Sequence, residues 1–241
     1  MRIGKICGVI AESTLEQVIR RMKEAETVDV DLLEIRVDYL TDPFSVVEKL
    51  KKIIEEAPLP VILTTRTSSE NGHLDINVND WNYGKIHLLI ERLIEAQPSF
   101  IDLQLNYSDT MFLDLLHSAH KASIKVIGSI HLPKEKSSKI HYENALDRAK
   151  DLKVDVVKII ATPSTFIDYI TLMKLLLDNV TAKRPIVAYC KGAYGRFSRI
   201  VAYHLGCEFI YCPVHQETSF GRFNVQELNE IGNRILGLDA F

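Results

Sequence analysis

Short apolar runs and amphipathic segments alternate along the whole chain. The first apolar run, residues 3–10, has the length and the β-branched content of a buried strand. The segment that follows extends to about residue 26 and has apolar residues at helical spacing, with Ser13 or Thr14 placed to cap it. Its apolar face comprises Leu15, Val18, Ile19 and Met22. The chain is therefore predicted to begin with a strand and a helix that pack against each other.

The same strand–helix pattern recurs to the C-terminus and makes eight units. Strands are predicted near 3–10, 31–37, 60–65, 99–103, 124–130, 154–160, 185–189 and 208–212, and helices near 15–26, 44–56, 80–97, 109–120, 139–152, 164–178, 196–205 and 224–236. Strict alternation predicts a parallel sheet with right-handed crossovers. Eight units in 241 residues favour an α/β fold, a single (β/α)8 TIM barrel over residues 1–241. An open dinucleotide-binding sheet would need a glycine fingerprint after its first strand, and residues 7–11 lack one.

Composition and charge are those of an ordinary globular protein, with 46% apolar and 25% charged residues and a net charge of -3. This charge gives no support for a nucleic-acid or anionic-membrane partner. The N-terminus has no signal-peptide core and no run reaches membrane-spanning length, so the protein is predicted to be cytoplasmic. Buried free thiols are expected at the cysteines, which form no C-x-x-C pair: Cys7, Cys190, Cys207 and Cys212.

Lys158 lies inside the β-branched run 154–160, where an unpaired ammonium is costly. One interpretation is that the side chain reaches solvent at the end of the strand. The other is that burial lowers the pKa of the amine and makes it a nucleophile. The run by itself leaves both interpretations open.

Polar side chains collect at or just after the carboxyl ends of the predicted strands, where barrel enzymes carry their active sites. They are Glu34 and Arg36, Arg66 and Glu70, His131, Lys158, Arg199 and the loop 214–223. Glu34 and Arg36 are two residues apart and point to the same side of their strand. The pair is read either as a buried structural ion pair or as a carboxylate that orients an arginine toward a ligand. Arg66 is either a solvated residue at the end of its strand or an arginine whose guanidinium binds a carboxylate through two hydrogen bonds.

His131, at the end of the fifth strand, is either a core histidine with satisfied hydrogen bonds or an acid–base catalyst. The other histidines show no metal-ligand spacing, so no metal site is predicted. The turn 191–196 contains two glycines but is not a P-loop, because no Lys-Ser/Thr pair follows its last glycine. It is read as a flexible approach to Arg199.

Five of these segments, in order, resemble the type I 3-dehydroquinate dehydratase family. The resemblance is carried by Glu34-Ile35-Arg36-Val37-Asp38, Thr64-Thr65-Arg66 with Glu70-Asn71-Gly72, Ser129-Ile130-His131, Val157-Lys158-Ile159, and Gly195-Arg196-Phe197-Ser198-Arg199. It implies a barrel that dehydrates 3-dehydroquinate to 3-dehydroshikimate in the shikimate pathway of aromatic amino-acid biosynthesis. It also implies a homodimer and no metal or external cofactor.

The resemblance implies a role for each residue. Lys158 forms a Schiff base with the substrate ketone, His131 transfers protons, and Glu70 orients His131. Glu34 and Arg36 hold ring hydroxyls. Arg66 and Arg199 bind or position the anionic substrate.

The sequence departs from the family pattern at three places: Leu132 follows the histidine, Gln104 stands on the fourth strand, and the final loop is altered. Where the family has Ser-Ala-Pro-Gly-Gln, this chain has Thr218-Ser219-Phe220-Gly221-Arg222. The resemblance implies that Thr218, Ser219 and Arg222 of this loop contact the substrate. An arginine in place of the glutamine would still donate to a carboxylate, and more strongly than an amide does. Two alternatives stay open: another Schiff-base lyase such as a class I aldolase, or a ligand-binding relative weakened by this lid.

Overall fold

The computed structural model describes residues 4–74, 80–214 and 223–236, in which eight strands alternate with eight α-helices. The strands are β1 Lys5–Ile10, β2 Leu32–Arg36, β3 Val61–Thr64, β4 Phe100–Gln104, β5 Lys125–Leu132, β6 Val156–Ala161, β7 Ile186–Cys190 and β8 Phe209–Pro213. The helices are α1 Leu15–Ala25, α2 Val47–Glu55, α3 Asp80–Glu95, α4 Asp109–Lys121, α5 Lys139–Asp151, α6 Phe166–Thr181, α7 Gly195–Leu205 and α8 Val225–Leu236. The predicted alternation is confirmed.

All the strands belong to one parallel sheet in the order β7-β6-β5-β4-β3-β2-β1-β8. The two edge strands of the sheet, β7 and β8, meet at one point: the backbone N–H of Glu208, just before β8, donates to the carbonyl of Ile186 on β7 at 2.9 Å. The sheet is therefore a nearly closed barrel surrounded by its helices, as eight alternating units predict. None of the described helices is both long and apolar enough to cross a membrane. All four cysteines are buried and free, as predicted.

Helix starts follow local capping chemistry. Thr14 caps α1 through a reciprocal pair of bonds with Gln17, while Ile19, predicted on its buried face, is 39% exposed. Helix α2 begins three residues later than predicted, because Ser45 bonds back to Asp42 and holds residues 43–46 in a turn.

The β5–β6 register determines where the candidate site lies. Strand β5 continues past its predicted end, since its pairing with β6 extends to Leu132 opposite Ala161. Ser129 is thereby set beside Lys158, and His131 lies one inward-facing position further toward the carboxyl end. On the other side of the barrel, Thr64 is in register with both Arg36 and Asp102. Side chains from five strands therefore converge at the carboxyl end of the sheet.

Candidate active site

Lys158 lies within β6 with only 4% of its surface exposed, so of the two interpretations the one in which it reaches solvent is wrong. Its Nζ lies 3.0 Å from Oδ2 of Asp102 and 3.3 Å from Oε1 of Glu34. The same atom lies 3.8 Å from the ring centroid of Tyr211. Two carboxylates and an aromatic face thus hold a buried amine inside the barrel, which is the compensation that a buried charge requires.

Asp102 on β4 links two buried cations of the site, Lys158 and Arg66. Its carboxylate accepts from Lys158, from Arg66 Nη2 at 3.1 Å and from Ser129 Oγ at 2.5 Å. Burial raises the pKa of Asp102, but the charges of Lys158 and Arg66 and the Ser129 hydroxyl outweigh burial and hold it below its ordinary value. The sequence interpretation missed this residue, although a carboxylate inside the apolar run of the fourth strand is as unusual as Lys158.

Arg66 follows β3 and is 2% exposed, so it is not a solvated strand-end residue. Its Nη1 donates to Glu70 Oε2 at 2.6 Å, and its Nη2 donates to Asp102 and Ser129. After Glu70 the chain turns back toward Arg66 through Asn71, which adopts a left-handed φ of 63°, and the backbone N–H of Leu74 donates to the Arg66 carbonyl at 3.2 Å. Gly72 then passes so close that a Cβ there would overlap the Arg66 carbonyl.

Glu34 and Arg36 both project into the barrel, but they bond to different partners. Glu34 Oε1 accepts from Thr64 Oγ1 at 2.8 Å and from Lys158. The guanidinium of Arg36 instead forms two bonds with Asp38, at 2.8 and 2.7 Å. The interpretation of Glu34 as the carboxylate that orients Arg36 is therefore wrong; Asp38 performs that role.

His131 lies in the wall of the cavity, and its Nδ1 lies 3.1 Å from Nζ of Lys191. Burial, followed by the positive charges of Arg66, Lys191 and Lys158, lowers the pKa of His131 well below its ordinary value. The imidazole is therefore neutral at neutral pH. Burial raises the pKa of Glu70, whose carboxylate faces Arg66 and the backbone N–H of His131. The predicted role of Glu70 in orienting His131 stays a prediction.

Arg199 lies on α7 and is buried against the end of β7. Its Nη1 donates to the carbonyls of Cys190 and Gly195 at 3.2 and 3.0 Å, and its guanidinium lies 4.6 Å from the ring centroid of Tyr189. The hydroxyl of Ser198 accepts from the Cys190 N–H at 2.9 Å. The Gly-x-x-Ser-Arg segment therefore joins α7 to the carboxyl end of β7 and turns Arg199 toward the barrel.

A single cavity brings most of the predicted residues together: Glu34, Arg36, Arg66, His131, Lys158 and Arg199. It is also lined by residues to which the sequence interpretation assigned no role: Val9, Ile160, Tyr189, Lys191 and Tyr211. Glu70 contacts Arg66. Thr218, Ser219 and Arg222 lie outside the described residues. The sequence carries no inward signal for Tyr211, because residues 209–212 are apolar at every position, or for Lys191, which follows its strand in a turn.

The arrangement suits the binding of an organic anion and nucleophilic chemistry at a carbonyl. Several cations line the cavity, and its buried primary amine and neutral imidazole project from adjacent strands. Within residues 4–74, 80–214 and 223–236, no three His, Cys, Asp or Glu side chains are grouped as metal ligands.

Known proteins resemble this chain in both sequence and fold. The family model described as Type I 3-dehydroquinase matches residues 6–238. The chain is 26% identical over 241 residues to a 3-dehydroquinate dehydratase of Clostridium novyi, covering 96% of this chain and 92% of that protein. It is 27% identical over 231 residues to one of Methanosarcina barkeri, covering 94% and 92%. The type I 3-dehydroquinate dehydratase of Clostridium difficile, solved with covalently modified comenic acid, has a TM-score of 0.86 at 22% identity and covers 99% of this chain and 94% of that one.

Proposed function

Because the chain belongs to the type I 3-dehydroquinase family, we propose that it dehydrates 3-dehydroquinate to 3-dehydroshikimate through an imine on Lys158. The observation that carries this proposal is the buried amine between Glu34 and Asp102, on the strand next to a neutral imidazole. The names of the relatives from Clostridium novyi and Methanosarcina barkeri support the same substrate. The reaction would take its place in the shikimate pathway.

In the first stage, the Lys158 amine adds to the ketone carbon. The adduct loses water and becomes a protonated imine. For this addition, Nζ passes one proton to the Glu34 carboxylate at 3.3 Å, and that proton returns to the hydroxyl that leaves the adduct as water. Asp102 and Glu34 stabilise the positive charge when it returns on the imine nitrogen, since both carboxylates already lie within 3.3 Å of Nζ. The carbon next to the imine becomes acidic because the imine accepts its electron pair.

In the second stage, neutral His131 accepts the proton from that carbon and an enamine forms. The enamine expels the β-hydroxyl, which leaves as water after the imidazolium returns the proton. Water then hydrolyses the imine and releases the conjugated enone and the free amine. A lowered pKa of His131 favours the neutral ring that the first of these transfers requires.

We propose a substrate placement from the cavity lining for the described residues and from the family resemblance for the final loop. Glu34 and Arg36 would hold ring hydroxyls. Arg199 would bind the carboxylate together with Arg222, Thr218 and Ser219 of the final loop. Arg66 already donates to Glu70, Asp102 and Ser129, so we propose that it acts by its charge and by holding those groups in place.

The direct test is to follow the ultraviolet absorbance of the conjugated enone while the purified protein turns over 3-dehydroquinate. Steady growth of this absorbance supports the proposal. Cleavage of a carbon–carbon bond without enone would indicate an aldolase. Calorimetric binding of 3-dehydroquinate with no product would indicate a ligand-binding relative.

The altered loop makes its own prediction. Replacing Arg222 by alanine removes a charged donor from the substrate carboxylate, so KM is expected to rise about tenfold or more. Replacing Arg222 by glutamine restores the residue of the family pattern and is expected to stay near the wild-type KM. The steady-state assay of both variants checks this. An unchanged KM in Arg222→Ala would contradict the proposal that Arg222 contacts the substrate.

Three expectations stay predictions. One is the homodimer implied by the family resemblance; the others are the cytoplasmic location and the single domain over residues 1–241, both predicted from the sequence. Light scattering coupled to gel filtration tests the first of them.

A further inference from the structure

Lys191 is a charged residue of the cavity lining to which the proposed reaction assigns no role. It follows Cys190 at the carboxyl end of β7 and lines the same cavity as Lys158. Its Nζ lies 3.1 Å from Nδ1 of His131, on the strand two positions away in the barrel. This contact joins a second amine to the imidazole that would carry the protons.

The chemistry of the two groups decides the direction of this hydrogen bond. A lysine ammonium has three donors and no acceptor, so Nδ1 has to accept. A neutral imidazole that accepts through Nδ1 carries its proton on Nε2. The contact with Lys191 therefore selects one tautomer of His131.

The charges around His131 come from every neighbouring element. Arg36 ends β2, Arg66 and Glu70 follow β3, Lys158 lies on β6, and Lys191 follows β7; all but Glu70 are cations. Glu70 faces the backbone N–H of His131 and bonds to Arg66. Among the described residues, Lys191 is the one that bonds to the ring itself. It is therefore the cation best placed to control the ring directly.

We propose that Lys191 is a positioning residue that holds His131 as the neutral Nε2–H tautomer in the free protein. The proposal deepens the proposed function and rests on it for its catalytic meaning. Nδ1 is then the only lone pair of the ring, and the ammonium covers it. Substrate has to draw the Lys191 ammonium away before Nδ1 accepts the carbon-bound proton, so base strength appears only when the anionic substrate is bound.

The test is the titration of His131 by 15N NMR without substrate, in wild type and in Lys191→Met. Methionine has a similar length and no branch, and it lacks both the charge and the donor. The signal of His131 is assigned by its loss in His131→Gln, because the chain has eight histidines. Wild type is expected to show a protonated Nε2 and a bare Nδ1. In Lys191→Met, the tautomers mix and the titration midpoint moves to higher pH, since a nearby cation no longer disfavours the imidazolium.

Two variants control for structural effects. Lys191→Arg keeps a cationic donor and is expected to stay nearer the wild-type midpoint. Lys174→Met, on the exposed face of α6, removes a lysine that pairs with Asp178 and is expected to leave His131 unchanged. If Lys191→Met does not fold, Lys191→Gln serves as the uncharged variant. The same tautomer and midpoint in wild type and in the uncharged variant would overturn the proposal, and this readout is independent of whether 3-dehydroquinate is the substrate.

Discussion

Replacing Asp102 by asparagine is expected to destabilise the protein by about 3 kcal/mol. The substitution keeps the shape of the side chain but removes the charge that lies between Lys158 and Arg66, both of which stay buried. Breaking one partner of a buried ion pair leaves uncompensated charge, and this is more costly than losing a surface pair. Urea unfolding at neutral pH measures the difference.

Asp178→Asn is the matched control, since its pair with Lys174 is shorter than either Asp102 pair, at 2.6 Å, but exposed. It is expected to cost less than about 1 kcal/mol. The pKa of Asp102 lies below its ordinary value, so its charge stabilises the fold above about pH 4 and this contribution is lost as the pH falls through the folded pKa. The gap between wild type and Asp102→Asn should therefore shrink in acid. Equal losses in the two asparagine variants would contradict the buried network.

Replacing Lys158 by arginine is expected to lower kcat by at least about 10,000-fold while the protein stays folded. Arginine keeps a positive charge between Glu34 and Asp102, so the buried carboxylates remain compensated. Its guanidinium does not lose a proton in proteins and so forms no imine. Enone absorbance measures the loss, and circular dichroism checks the fold.

The Lys174→Met variant again serves as a control, because it removes an exposed lysine that does not line the cavity and should keep wild-type turnover. A folded Lys158→Arg protein with more than a few per cent of wild-type turnover would rule out covalent catalysis by this residue.

Much of the fold was predictable because strand–helix alternation is a strong signal for a parallel barrel. The errors in element bounds lie where side-chain bonds and strand pairing compete with the local pattern. Helix α2 begins at Val47 because Ser45 bonds to Asp42, a contact that the helical periodicity does not report. Strand β5 includes His131 because β6 continues to pair with it, and this depends on Ile160, the partner of His131 in the next strand.

The site was predictable where a residue conflicts with its surroundings, as an ammonium in a β-branched strand does. The same reasoning applied to Asp102 would have found it. Partners were harder to predict, because they depend on distances across the barrel. Arg36 bonds to Asp38 two residues later, while Lys158 bonds to Glu34 from 124 residues earlier. Lys191 contacts His131 from a loop, where no strand periodicity indicates which way a side chain points.

The central claim is that Lys158 forms the imine, and borohydride reduction during turnover of 3-dehydroquinate tests it most directly. Reduction converts the imine to a stable secondary amine, and trypsin does not cleave after the modified lysine. Lysines 158 and 191 both line the cavity, so the peptide that carries the added mass decides between them. The account predicts the mass on the peptide 154–174, which contains an uncleaved Lys158. Mass on the peptide 184–196, which contains Lys191, or no adduct at all would contradict it.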